Sequence, residues 1–164
     1  MTKQEFYRRI TNSKKDLIKE FLGILHKLRI PYCVIGGVAL NAYCEPMVTL
    51  DFDCVLHFDA ISVIKKELLQ KGFRIKTHPY TWEITRKGSD VRIQLQRDQR
   101  YQKFIKKAIK REVLGYQMKV AQKKDLLKGK IWAYCDPTRN TLKREKDRLD
   151  IRRLISKYPS LKKK

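Results

Sequence analysis

Two aspartates separated by one residue, Asp51 and Asp53, are the side chains in this sequence best suited to carry chemistry. They lie in an apolar segment, residues 48–58, that predicts a β-strand. Because side chains alternate between the two faces of a strand, both carboxylates point the same way, on the order of 6–7 Å apart. Two like charges among apolar neighbours are costly unless a cation compensates them. The pair therefore predicts a site for a divalent metal ion.

A pair of glycines, Gly36 and Gly37, precedes the aspartates. The sequence around them predicts a short apolar strand at 32–35, a tight turn at the glycines and a short helix at 38–44. A glycine turn that opens a helix lets backbone N–H groups approach a phosphate closely. The same residues also fit a plain structural interpretation, with a simple turn and with the aspartates exposed on an edge strand. From these residues alone, both interpretations stay open.

The chain carries a large positive charge. It has 39 Lys and Arg against 17 Asp and Glu, which gives a formal net charge of +22 over 164 residues. Such an excess is typical of proteins that bind polyanions, because cationic clusters release counterions from a phosphate backbone. Solvated basic faces are the alternative explanation. Much of the charge lies in the second half of the chain, at 103–111, 119–130 and 139–164.

Length and composition limit the architecture. A chain of this length with 42% hydrophobic residues can bury the core of one domain. Its apolar runs are far shorter than the roughly 20 residues of a membrane span. Its N-terminus lacks the apolar core of a secretion signal. We expect a cytoplasmic protein without membrane association, with its cysteines reduced.

Hydrophobic periodicity predicts the elements that position these residues. The segments expected to be helical are 13–28 with Ser13 as its cap, 60–70 with Asp59 as its cap, 99–110, 123–134 and 140–157. The further segments expected to be strands are 73–77, 82–86, 91–96 and 116–120. The strands at 82–86 and 91–96 form a hairpin, and the strand at 116–120 lies at a sheet edge.

At these residues the chain resembles the nucleotidyltransferase superfamily, which has the DNA polymerase β-like fold. Within it, the chain resembles small bacterial nucleotidyltransferase-like proteins akin to abortive-infection-type toxins. The superfamily pattern is an apolar strand, a Gly-Gly or Gly-Ser pair that opens a helix, and an Asp-x-Asp strand preceded by Thr. The residues that match it in order and spacing are Gly36, Gly37, Thr49, Asp51 and Asp53.

The C-terminal half also resembles this group. Residues 120–133 are similar to its Lys-bearing helix, and residues 143–154 are similar to its Lys-x-Asp-x-x-Asp helix. In that second helix Asp147 and Asp150 share a face, and we expect them to form salt bridges with Lys or Arg rather than a second metal site.

The resemblance implies an α+β fold, with a nucleotidyltransferase-like mixed β-sheet flanked by helices and a basic helical C-terminal part. We expect the core at residues 1–120, basic helices packed on it at 121–158 and a basic tail at 159–164, in a single compact domain. The three lysines at the end of this tail, residues 162–164, are expected to be disordered and to attract anions without specificity.

The resemblance also implies the site residues. Asp51 and Asp53 would be catalytic and would hold Mg²⁺ or Mn²⁺. The residues expected to bind the nucleotide are Gly36, Gly37, Thr49 and Lys130. Active members of the superfamily usually carry a third carboxylate on a neighbouring strand, where this chain has Gln94. A neutral amide cannot act as a base and binds Mg²⁺ less strongly than a carboxylate does.

The expected activity is metal-dependent transfer of a nucleotide from an NTP to an acceptor. The charge favours RNA, such as tRNA, as the acceptor, and it disfavours cationic aminoglycosides because the protein would repel them. The missing acid at Gln94 favours a second interpretation, a catalytically degenerate protein that binds nucleotide or RNA. A toxin-antitoxin component is compatible with both.

Overall fold

A seven-stranded mixed sheet lies at the centre of the structure, a computed structural model that describes residues 1–162. In chain order its strands are β1 (Tyr32–Ile35), β2 (Asp51–Leu56), β3 (Arg74–Thr77), β4 (Thr81–Thr85), β5 (Arg92–Gln96), β6 (Ile109–Val113) and β7 (Tyr116–Val120). In space they lie in the order β3-β4-β5-β2-β1-β7-β6. The pairs β2–β5 and β1–β7 are parallel, and the remaining pairs are antiparallel. The α+β fold with a mixed sheet is therefore confirmed.

Helices cover both faces of this sheet. They are α1 (Lys3–Ile10), α2 (Leu17–Lys27), α3 (Gly36–Leu40), α4 (Ile61–Gln70), α5 (Gln102–Lys107), α6 (Lys123–Cys135) and α7 (Thr141–Lys157). On one face, Phe21 of α2 packs edge-on against Phe52 of β2. The opposite face of β2 carries Asp51 and Asp53 and borders a cleft whose other lining residues include members of α6 and α7. Among the described residues, no helix has the length and apolar character needed to cross a membrane.

The aspartate strand is shorter than the sequence indicates. It begins at Asp51 rather than at residue 48, because Met47 and Val48 belong to an exposed loop. The side chain of Asn41 holds this loop by accepting a hydrogen bond from the backbone N–H of Met47 and donating one to its carbonyl, each of 2.9 Å. The loop therefore ends at the sheet immediately before Asp51, the first residue of β2.

Both predicted helix caps are wrong. Helix α2 begins at Leu17, and Asp16 caps it by accepting a hydrogen bond from the backbone N–H of Lys19. Ser13 instead exchanges hydrogen bonds with the hydroxyls of Thr11 and Ser89. Asp59 lies in a 3-10 turn at 58–60, and the residue before α4 is Ala60, which has no capping side chain.

Two elements were not predicted, and the predicted edge position of the strand at 116–120 is wrong. Helix α1 precedes the predicted helices, and β6 forms from residues assigned in part to a helix at 99–110. Because β6 takes the sheet edge, β7 lies inside the sheet between β1 and β6. Of the predicted basic tail, residues 159–162 form a 3-10 turn, and residues 163–164 lie outside the described part of the chain.

Candidate active site

The glycine turn and the aspartate strand meet where β1 ends. Ile35, the last residue of β1, pairs with Asp53 of β2, so the chain turns at Gly36 directly beside the Asp53 carboxylate. Gly36 has a φ of +68°, and a Cβ at this position would collide with that carboxylate. A side chain is therefore excluded by the backbone conformation and by the space. The glycine is what allows the turn and the acid to lie against each other.

The carboxyl of Asp53 is poorly solvated. Burial raises its pKa to about 6, an effect that the ammonium group of Lys130 opposes and that the negative charge of Asp51 increases. A carboxylate whose charged form is disfavoured in this way gains from a nearby cation. Such perturbed acids occur often at functional sites.

The second aspartate, Asp51, already has a partner. Arg92 stands directly across from it on β5, and its Nε donates a hydrogen bond of 2.8 Å to Asp51 Oδ1. The backbone N–H of Asp51 donates to the hydroxyl of Thr49 at 3.2 Å. Thr49 is buried, and its carbonyl accepts a hydrogen bond of 2.8 Å from the hydroxyl of Tyr7. Thr49 thus fixes the start of β2, and its predicted contact with a nucleotide stays a prediction.

The strand next to β2 carries no acid, but the following strand does. In the sheet register Asp53 pairs with Gln94 of β5, and Gln94 pairs with Glu83 of β4. The Gln94 amide donates a hydrogen bond of 3.1 Å to Glu83 Oε2. Glu83 was not among the predicted site residues. The alternation of β4, which buries Trp82 and Ile84 and turns Glu83 to the other face, is the signal that could have identified it.

A buried ion-pair network joins α6 and α7 beside the aspartates. Lys130 Nζ lies 2.8 Å from an Asp150 oxygen and 3.5 Å from an Asp147 oxygen. Arg139 also pairs with Asp147, and Arg153 pairs with Asp150 at 3.1 Å. The predicted salt bridges of the two aspartates are confirmed. Lys130 also lines the small cavity that contains Asp53, and its predicted contact with a nucleotide stays a prediction.

A cleft of about 490 Å³ separates the acids of the sheet from the cations of the C-terminal helices. Its floor includes the carboxylates of Asp51, Asp53 and Glu83. Its opposite wall presents cationic side chains, namely Lys130, Arg139, Lys143 and Lys146. Opposed acidic and basic walls can hold a divalent ion and a phosphate chain between them, since each neutralises the charge of the other.

The donor set fits a metal ion that binds together with a phosphorylated ligand. Among residues 1–162, no group of three or more His, Cys, Asp or Glu side chains is close enough together to hold a metal ion. Mg²⁺ commonly binds through one or two carboxylates, with substrate phosphates and water as its other ligands. Asp51 and Asp53 match this pattern, and the cationic wall would position the phosphates.

Comparisons with known proteins support the fold. No family model matches the chain, and no curated protein sequence does. The structure is similar to that of LnuA, a lincosamide antibiotic adenylyltransferase with lincomycin bound, with a TM-score of 0.61 and 14% identity over 88% of this chain and 98% of that chain. It is also similar to the antibiotic-resistance factor ANT(2'')-Ia, with a TM-score of 0.63 and 14% identity over 88% of this chain and 86% of that chain.

A third similar structure is a nucleotidyltransferase-like protein from Paracoccidioides brasiliensis, with a TM-score of 0.57 and 18% identity over 92% of this chain and 75% of that chain. The chain therefore has the nucleotidyltransferase fold. At these identities the similarity shows the fold and leaves substrate and acceptor open.

Proposed function

We propose that this protein is a metal-dependent nucleotidyltransferase that moves a nucleotide from an NTP to an acceptor. One observation carries the proposal. Asp51 and Asp53 share a face at the glycine turn of a nucleotidyltransferase fold, across a cleft from cationic side chains. Bound between these walls, Mg²⁺ or Mn²⁺ would offset negative charge on the α-phosphate and the leaving pyrophosphate.

The chain's own residues divide the remaining work. Lys143 and Lys146 project from α7 into the cleft and would bind the phosphates, and the glycine turn allows the backbone at Gly37 to approach them. The acceptor hydroxyl attacks the α-phosphate, the bond between the α- and β-phosphates breaks, and pyrophosphate leaves. Glu83, which forms no ion pair among residues 1–162, is suited to take the hydroxyl proton.

A polyanionic acceptor, RNA, is the first candidate. The net charge of +22 supports it, as do Lys143 and Lys146, two exposed lysines that line the cleft. A small hydroxylated molecule is the second candidate, because two of the similar structures are antibiotic adenylyltransferases. The positive charge of this chain acts against a cationic antibiotic.

A catalytically degenerate protein that binds nucleotide or RNA is the alternative. The absence of an acid from β5 favours it, since Gln94 stands where the strand faces Asp53. A toxin-antitoxin role fits either form, and both that role and a cytoplasmic location stay predictions.

A transfer assay tests the proposal. The purified protein is incubated with each α-labelled NTP, Mg²⁺ or Mn²⁺, and total RNA, and label in RNA is measured. We expect metal-dependent labelling that Asp51→Asn abolishes. The control is Asp59→Asn, because Asp59 is an exposed acid in a turn outside the cleft. NTP binding by calorimetry with no labelled product from any acceptor would instead support the degenerate form.

A further inference from the structure

Arg92 forms an ion pair with Asp51. Its guanidinium donates to Asp51 Oδ1 at 2.8 Å, and the two residues are direct neighbours across β2 and β5. The side chains are 47% and 33% exposed, respectively. An ion pair with this much solvent around it can open at small cost, unlike a buried pair.

The two aspartates of the site therefore differ in their compensation. The Arg92 guanidinium lies against one oxygen of Asp51, whereas Asp53 forms no salt bridge among residues 1–162. On β5 the residues facing the site are Arg92, Gln94 and Gln96, so the single cation of this strand lies beside Asp51. A metal ion shared by both aspartates would bring two positive charges close to the Arg92 guanidinium.

We propose that Arg92 is a displaceable counter-cation, which competes with a divalent ion for Asp51 and keeps that ion weakly bound until a nucleotide is present. This inference rests on the proposed function. A divalent ion at Asp51 repels the guanidinium and competes for the same oxygen, so its binding opens the pair. A triphosphate supplies negative charge beside the site, which offsets that repulsion. Arg92 is thus a positioning residue that couples metal binding to nucleotide binding.

Mn²⁺ affinity measured without turnover tests this role. Binding is followed by calorimetry and by electron paramagnetic resonance, with Mn²⁺ alone and with Mn²⁺ plus a non-hydrolysable ATP analogue. We expect Arg92→Gln to bind Mn²⁺ alone roughly 1.5- to five-fold more tightly than the wild type, the range of a partly exposed ion pair. With the analogue present, the difference should shrink, because the phosphates offset the repulsion in the wild type.

Two further variants make the result specific. Arg74→Gln removes the same charge from β3, where Arg74 is exposed and makes no ion pair within the described residues, and it should leave Mn²⁺ affinity unchanged. Arg92→Lys keeps the charge but loses the Nε–H donor, and its affinity should lie between those of the wild type and Arg92→Gln. High salt should reduce the effect of Arg92→Gln, since exposed charges are screened.

The outcomes separate this inference from the proposed function. If folded Arg92→Gln binds Mn²⁺ no more tightly than Arg74→Gln does, Arg92 does not compete for Asp51 and the inference is wrong, while the proposed function stands. If neither the wild type nor Arg92→Gln binds Mn²⁺ with the analogue, the metal-dependent function itself is contradicted.

Discussion

Gln94 donates a hydrogen bond of 3.1 Å to Glu83, and the sheet register places this amide between the carboxylates of Asp53 and Glu83. Glu83 therefore lies one strand further from Asp53 than Gln94, the position where the resemblance places a third carboxylate and this chain has none. Gln94 orients this acid, because the amide N–H₂ donates to the Glu83 carboxylate.

Replacing Glu83 with Gln tests the importance of this acid. We expect Glu83→Gln to lower metal-dependent nucleotide transfer about 100- to 10,000-fold, the usual contribution of a general base, because a neutral amide cannot take the acceptor proton. Its fold should persist, because Glu83 is only half-buried. The matched control is Glu145→Gln, an exposed acid on α7 that does not line the cleft. Equal activity of the two variants would show that Glu83 takes no part in nucleotide transfer.

Replacing Gly36 with Ala tests the contact between the glycine turn and Asp53. The new Cβ would collide with the Asp53 carboxylate, and φ is +68°. We expect a loss of about 2–4 kcal/mol in the free energy of unfolding. In the control, Gly23→Ala, the added Cβ lies at an exposed position of helix α2 and meets no atom within 4 Å, and stability should rise by up to about 1 kcal/mol. Urea denaturation compares them, and a neutral Gly36→Ala would show that the turn yields without cost.

The sequence predicts those parts of the site that depend on residues close together along the chain. The strand, glycine turn and aspartate pair are local patterns, as are the hairpin and the two basic C-terminal helices, and each forms near its predicted place. Strand neighbours are set by long-range pairing that no local pattern contains. The contact between Arg92 and Asp51 depends on β5 lying parallel to β2, a pairing of residues 41 positions apart.

Helix α1 and strand β6 show a second limit. The apolar residues Phe6 and Ile10 of α1 remain exposed, so the helix lacks a fully buried stripe, and it is anchored by Tyr7 through the hydrogen bond to Thr49. Its capping box, Thr2 with Glu5, is a local signal that would have predicted its start. The sequence before β6 continues a helical pattern, and Ala108 ends α5 in an extended conformation.

Replacing Lys130 with Gln measures the ion-pair network. Lys130 contacts Asp147 and Asp150, both almost fully buried, so its removal leaves two carboxylates with fewer cations. We expect the free energy of unfolding to fall by about 2–3 kcal/mol. This is somewhat below the cost of breaking an isolated buried pair, because arginines still contact both acids. Lys128→Gln, on the exposed side of α6, should change stability by less than about 0.5 kcal/mol. Similar melting of the two variants would contradict a structural role for Lys130.

Asp53 should make stability depend on pH in the absence of metal. Its pKa in the folded protein is about 6, against an ordinary value of 3.8, because burial disfavours the charged form. The folded state therefore binds more protons than the unfolded state between these values, and stability falls as pH rises through this window. The contribution is fully present below about pH 4 and lost above about pH 6. Asp53→Asn cannot titrate, so this part of the pH dependence should disappear.

Urea unfolding in EDTA at pH 4 and pH 7.5 measures the effect. Relative to the wild type, Asp53→Asn should gain stability between the two pH values by at most about 3 kcal/mol, the equivalent of the pKa shift. Comparing the change with pH cancels any constant cost of the asparagine itself. If the free energies of unfolding of the wild type and the variant change in parallel from pH 4 to 7.5, the folded state does not disfavour the charged form of Asp53. A cation would then have no poorly solvated charge to compensate at this residue.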